Sequence, residues 1–319
     1  MDRPDIVFRK DIDTAEDLFF ELSPATGSIW RVAGHISPVR GELLFRGQAN
    51  GADGKRWELR PSAHRDSSVF TAPFKLAGVD LRRAELRHVL DFANMVDRHG
   101  FIVPSDHHDL RDPRSQVTSE VDDWNPFPEP ALVALFGLAQ HNGIPTRLLD
   151  WTKKPLVAAY FAAEPVARRR APGSSPPVTE CPYFSIFAVQ RRAMAACNAL
   201  DPAIYFLTVP TATNANLHAQ GGEFSLVQPI SNPSNETLPT IDEVLIQHAD
   251  EIWNLDHSWR RAFPLLVEFR VPVWEARTVL LTLKHMGVTA ASIYPGLKGV
   301  ADAMKEASLY EWAGPGDRS

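Results

Sequence analysis

Apolar residues recur along the chain in two regimes, alternating runs and helical stripes, and these place most of the expected elements. Ile6 to Phe8 reads as a short strand, and Asp13 with Glu16 three residues on predicts a capping box opening a helix through Leu22. Leu43, Leu44 and Phe45 predict a strand that runs out through Arg46, Gly47 and Gln48. A Gly-rich polar loop over 49–56 and the extended WELRPS at 57–62 make a hairpin the simplest expectation there. From Leu81 to Arg98, the spacing of Leu86, Leu90, Ala93 and Val96 predicts a helix with its charges on the opposite face.

Pro, Asp and His crowd residues 99–129 without periodicity, which predicts a long surface loop. Pro130 then suits the first turn of a helix that is apolar nearly all round (Leu132, Val133, Leu135, Phe136, Leu138) and stops at Gly143, so this helix must be buried. Pro145 bars its continuation, TRLLDW at 146–151 reads as a strand, and Pro155 opens a second apolar helix, PLVAAYFAA. This unit, over 139–163, is expected to form both the core and the wall of a ligand site. The Pro-, Ser- and Arg-rich stretch 165–180 reads as a surface linker, with Arg168 to Arg170 a solvated charge run. Beyond it YFSIFAV, IYFLTV, EFSLVQ and LLVEFRV predict strands around one helix over Thr240 to Trp253. A helix through Lys284, a stop at Gly287, a strand VTAASIY and a last helix with Leu297, Val300, Ala301 and Met304 on one face close the chain. The fold class expected is α+β over one domain, 1–319, with mixed, largely antiparallel central sheets flanked by helices.

Composition narrows the function classes. With 44% hydrophobic and 23% charged residues, the chain falls with folded globular proteins and away from disordered ones. Lys and Arg number 33 against 39 Asp and Glu, so no global basic field draws the chain to nucleic acid or to an anionic membrane. The charged opening MDRPDIVFRKDIDTAEDLFF is unlike a signal or transit peptide, and no apolar run approaches the roughly 20 residues that cross a bilayer. Cys181 and Cys197 lack a metal or redox spacing, and together these features lead us to expect a cytoplasmic protein with no membrane partner.

The common phosphate-loop, dinucleotide, serine-hydrolase and zinc-protease motifs are missing, and the pair His107–His108 has no second ligand cluster at metal spacing, so no metal is expected. What stands out is a set of polar residues at the ends of apolar elements: Arg46, Gln140, His141, Arg147, Asp150 and Gln220. Buried polar groups need partners. Two readings stay open for Arg46. It pairs with Asp150 and fixes the fold, or its guanidinium leaves the strand beside Gly47 and receives a ligand phosphate or ribose.

FRGQ at 45–48, WELRPS, QHNGIPTRLLDWT at 140–152, PLVAAYFA at 155–162, AQGGEF at 219–224 and SIYPGLKG at 292–299 together resemble the FRG domain, named for its Phe-Arg-Gly. The blocks run in order over nearly the whole chain. Asn142 departs from the family's more usual aromatic residue, and Gly296 and Lys298 from its acidic ones, which removes an acidic role there. More loosely, the order of features resembles an ADP-ribosyltransferase fold: Arg46 on a first strand, Thr152 ending a strand before an Ala-rich helix with Tyr160, and a later strand bearing Gln220 or Glu223. That resemblance implies NAD as substrate, with ADP-ribosyl transfer to a protein or nucleic-acid acceptor or NAD glycohydrolysis, as in a toxin or antiviral defence effector.

Breaking the nicotinamide–ribose bond builds positive charge on the sugar, so the chemistry needs a carboxylate. Glu223 is the candidate, and Gln220 in its place would bind without acting as a base. Gln48, Arg147, Asp150, Trp151 and Thr152 join Arg46 as expected ligand-binding residues, Arg46 on the diphosphate and Trp151 or Tyr160 stacked on nicotinamide. Tyr160 equally suits a core aromatic position and Glu223 a solvated strand position. Beside the enzyme stand a nucleotide- or nucleic-acid-sensing module without chemistry, and a folding nucleus that displays residues 99–129 to a protein partner.

Overall fold

The computed structural model describes residues 6–30, 43–49, 59–65, 76, 78–104, 106, 130–171, 181–210, 214–228, 238–255 and 264–311. Seven strands form one sheet: β1 (Val7–Asp11), β2 (Leu43–Gln48), β3 (Leu149–Thr152), β4 (Tyr183–Gln190), β5 (Ala203–Leu207), β6 (Gly222–Gln228) and β7 (Leu266–Pro272). Their order is β1-β7-β4-β2-β3-β6-β5, and only β1 and β7 run parallel. Helices α1 (Ala15–Leu22), α2 (Gly78–Arg98), α3 (Pro130–His141), α4 (Pro155–Arg169), α5 (Ala215–Gln220), α6 (Ile241–Gln247), α7 (Ala249–Leu255), α8 (Ala276–His285), α9 (Ala290–Ile293) and α10 (Leu297–Glu311) surround it. The mixed α/β fold with a mostly antiparallel sheet agrees with the pattern of the sequence.

Alternation along the strands builds two faces. Leu43 and Phe45 point to the face where α4, α1 and α8 pack, sharing a core with Ala158, Ala162, Leu18, Val279, Ile186 and Phe269. Leu44 points the other way, into a core with Leu149, Trp151, Phe187, Val189, Val244 and Leu245. On the first face, beyond β3, α2 and α3 cover β6 through Val89, Phe136, Leu148, Phe224 and Leu226. The floor between α4 and the α2–α3 pair is β2 and β3, and the site lies there.

Several local expectations change. The helix cap is Thr14, whose Oγ1 accepts from Asp17 N at 3.1 Å, one residue later than the sequence signal. Leu59 to Pro61 are not strand and Ser62–His64 form a 3₁₀ turn, so among the described residues no hairpin partner follows β2; β4 pairs along its length and β3 pairs at Phe45, while residues 50–58 lie outside the described residues. Helix α4 runs through Pro165 to Arg169, into the stretch read as linker, because Val166 and Ala167 are buried on its packed face. Residues 172–180 and 107–129 lie outside the described residues. The helix expected over Thr240 to Trp253 is two, α6 and α7. VTAASIY is not a strand: Thr289 and Ser292 cap one another across α9, and Ala290 and Ile293 bury one side of it. In α10 the apolar face faces outward, Leu297 and Met304 being 89% and 74% exposed, while Glu306 is buried. Among the described residues no helix is long and apolar enough to cross a membrane.

Candidate functional site

β2 and β3 pair at one position, Phe45 opposite Thr152. Past it the Arg46 side chain replaces the ladder: Nη1 donates to the Asp150 carbonyl at 2.7 Å and lies 3.7 Å from Asp150 Oδ2. Asp150 Oδ1 accepts from Gln140 Nε2 at 2.6 Å, and Gln140 Oε1 accepts from the Thr146 hydroxyl. The C-terminal end of α3, the loop into β3 and the end of β2 are thus joined by one polar network.

That network borders a cleft of about 400 Å³ lined by Phe45, Arg46, Gly47, Arg65, Gln140, His141, Asp150, Trp151, Thr152, Phe161, Gln220 and Tyr294. Sites for small-molecule ligands span about 300–1,000 Å³. Asp150 is the one carboxylate among the described residues that line it, and its side chain is 59% exposed against 11% for Arg46. Burial pushes the Arg46 guanidinium down to about 10, with Asp150 opposing the shift and Arg65 adding to it. Arg46 Nε is buried and has no hydrogen-bond partner among the described residues. His141 is held below its ordinary value by burial, against the pull of Asp150, and its Nε2 lies 2.7 Å from Asn216 Nδ2. The cleft therefore presents two guanidinium groups against one carboxylate, an excess that favours an anion.

Arg46, Asp150, Thr152 and Gln220 come together in this cleft as the sequence suggested. The Thr152 hydroxyl donates to Gln220 O at 2.5 Å and accepts from Lys154 N at 3.0 Å, tying β3 to the end of α5. Trp151 contributes to the lining, but it is 2% exposed, its Nε1 donates to Ser225 Oγ at 2.7 Å and its ring packs on Phe206. The remaining candidates lie elsewhere. Glu223 stands opposite Trp151 on β6, and its buried carboxylate is held by Lys153 at 2.7 Å and Arg191 at 2.9 Å, on the face of the sheet away from the cleft floor. Tyr160 is 3% exposed and donates to Glu306 Oε1. Gln48 is buried beside Ser185 and is not among the lining residues.

Arg147 is 1% exposed and pairs with Glu85 of α2, 0% exposed: Glu85 accepts from Arg147 N and Arg147 Nε, both at 2.6 Å. Arg147 also borders a void of about 10 Å³ with Arg60, His64, Ser225 and Thr240, room for about one water. Sequence reasoning passed over Arg65, Phe161 and Tyr294 as site residues. Tyr294 sits within the SIYPGLKG block, and that is the signal that points to it.

Residues 41–170 match the FRG domain family model. The chain carries an FRG domain. No curated protein and no solved structure matches the chain. The three residues of the FRG motif have separate jobs. Phe45 is buried against Trp30, with ring centroids 5.7 Å apart. Arg46 bridges β2 to β3. Gly47 lets α4 lie directly on the strand, since a Cβ there would fall 1.9 Å from Ala158 O and 2.7 Å from Ala162 N. The matched stretch supplies most of the cleft, and Gln220 and Tyr294 complete it from beyond residue 170.

Proposed function

We propose that the cleft binds an NAD-like dinucleotide, with the diphosphate on Arg46 and Arg65. The observation that carries this reading is the pair of guanidinium groups facing Asp150 in a cleft of ligand size, with Arg46 Nε lacking a partner among the described residues. The pairing of β2 with β3 and the hydrogen bond from the Thr152 hydroxyl to Gln220 O support it further, because they bring Arg46, Thr152 and Gln220 to one cleft, with Gln220 at the end of helix α5 and not on the later strand that the resemblance to ADP-ribosyltransferases implies. Calorimetric titration with NAD and with ADP-ribose tests the reading. Saturable binding that Arg46→Ala weakens about 10- to 100-fold is expected, the worth of a charge-assisted hydrogen bond of about 1.5–3 kcal/mol. Binding that is absent, or untouched by Arg46→Ala, overturns it.

One observation favours a second reading, cleavage of the nicotinamide–ribose bond by glycohydrolysis or ADP-ribosyl transfer. Asp150 presents an exposed carboxylate in the cleft, oriented by Gln140, where Glu223 is turned away. As nicotinamide leaves with the bonding electron pair, positive charge grows on the ribose and a carboxylate beside it lowers the barrier. Water or an acceptor nucleophile then takes the anomeric carbon. Nicotinamide release by the wild type, lost in Asp150→Asn while NAD still binds, is the expected result. No release with or without cell extract rules cleavage out and leaves nucleotide sensing without chemistry.

A further inference from the structure

The arginines account for only part of the lining of the cleft, which also includes two aromatic rings, Phe161 of α4 and Tyr294 just after α9. From the geometry we infer that this pair is a subsite for a planar ring of the ligand, with Tyr294 its specificity-determining residue and Tyr160 a positioning residue behind it. The inference rests on the dinucleotide reading and adds which residues read the ring.

Trp151 and Tyr160 are 2% and 3% exposed, and their polar atoms are engaged with Ser225 and Glu306, so neither ring is open to a ligand. Phe161 and Tyr294 are half-buried and border the cleft. They meet edge to face with centroids 6.2 Å apart.

Tyr294 N donates to Ala290 O at 2.8 Å, and a Cβ on Gly299 would fall 1.8 Å from Tyr294 O, so α10 lies directly against the Tyr294 backbone. Glu306 of α10 then joins the two walls. Its Oε1 accepts from the Tyr160 hydroxyl and its Oε2 from Ala290 N at 3.3 Å, which ties α4 to the start of α9. Tyr160 is the neighbour of Phe161, so this buried clamp sets the separation of the two rings; Tyr160 itself packs on Phe161 at 6.0 Å. A half-exposed ring fixed from behind in this way is preorganised for recognition. Guanidinium groups and aromatic rings lining one cleft select a ligand that carries both an anionic group and a planar ring, a nucleotide rather than free phosphate.

The test compares NAD with inorganic pyrophosphate, titrated into the full chain by calorimetry. Base–aromatic stacking changes affinity by about tenfold or more when the ring is removed. Tyr294→Leu is therefore expected to weaken NAD at least about tenfold and pyrophosphate less than about twofold, and Tyr294→Phe to rescue NAD binding. Tyr160→Phe, which releases Glu306, is expected to weaken NAD by a few fold with pyrophosphate again the less affected. Equal weakening of both probes by Tyr294→Leu, or no weakening of NAD, overturns the ring subsite while leaving the anion site standing. A wild type that binds neither probe overturns the dinucleotide reading and the subsite with it.

Discussion

Removing the Glu85 carboxylate is the perturbation whose consequence follows most directly from the packing. Glu85 is 0% exposed in α2 and takes both the backbone N–H and the Nε–H of Arg147, each at 2.6 Å, while Arg147 is 1% exposed. Deleting one partner of a buried pair leaves the other charge dehydrated and uncompensated, at a cost of about 3–5 kcal/mol. Folded domains have about 5–15 kcal/mol in hand, so the loss is a large fraction of the whole. Unfolding entropy near about 2.1 cal/mol/K per residue gives about 0.7 kcal/mol/K for 319 residues, so a loss of about 4 kcal/mol lowers Tm by about 6 °C. Differential scanning calorimetry of the wild type, Glu85→Ala and the double variant Glu85→Leu with Arg147→Met measures it. The double variant is expected to recover part of the loss, because an apolar pair of similar volume removes both dehydrated charges while the backbone N–H at position 147 loses its Glu85 acceptor. The loop that Arg147 anchors leads into β3 and Asp150, so Glu85→Ala is also expected to raise the Kd for NAD. A Tm loss below about 1 °C, or a double variant no better than the single one, would refute the claim that this ion pair holds the loop in place.

Three further outcomes follow. Gly47→Ala puts a Cβ 1.9 Å from Ala158 O, a contact only backbone movement relieves, so α4 must lift from β2; a loss of at least about 1–3 kcal/mol in urea unfolding is expected, and an unchanged midpoint would show that α4 does not rest on this glycine. Tyr160→Phe takes a donor from the buried Glu306 carboxylate and is expected to cost about 1–3 kcal/mol, read as a lower urea midpoint at constant slope. His64 is held down to about 4, below its ordinary 6.5, by burial and then by Arg147 and Arg60. Between those pH values the unfolded chain binds the extra proton, so stability rises with pH through that window and up to about 3 kcal/mol is lost as pH falls from 6.5 to 4. His64→Gln should flatten that part of the Tm–pH curve, and parallel curves for variant and wild type would remove His64 as the cause.

The strands were legible because their apolar content is high and their neighbours carry turn residues. β4, β6 and β7 bury nearly every position, a continuous signal that needs no period to be seen. The buried α3 and α4, each opened by a proline, were legible for the same reason. The failures have physical causes. VTAASIY has β-branched residues at its ends, yet two hydroxyls three apart give it a cap, and local hydrogen bonding decides a segment of that length. Leu297, Val300 and Met304 share a stripe that faces outward because Glu306, on another face of α10, has its partners inside. The face that packs inside is a second one, carrying the small Ala303 and Ala307 with Leu309 and the buried Glu306, and the larger apolar residues of the outward stripe outweigh it in the periodicity.

The candidate site divides along the same line. The sequence gathers Arg46, Arg147 and Asp150 by one criterion, a polar residue at the end of an apolar element, and adds Glu223 through the resemblance to ADP-ribosyltransferases; the structure sends them to different ends. Arg147 meets both oxygens of a carboxylate 62 positions away, and Glu223 meets two cations on the reverse face of the sheet, so each is engaged by the fold. Arg46 meets a backbone carbonyl and a carboxylate 3.7 Å off, feels the repulsion of Arg65 and keeps a buried Nε without a partner among the described residues. An anion entering the cleft would relieve that repulsion and satisfy that donor. What separates the arginine proposed to bind from the structural one is the partner that the fold brings to it, a half-engaged Asp150 for Arg46 and Glu85 for Arg147. That partner is set by tertiary packing between segments far apart in the chain, which is why the sequence nominated residues that line the cleft together with residues that do not, and could not sort them.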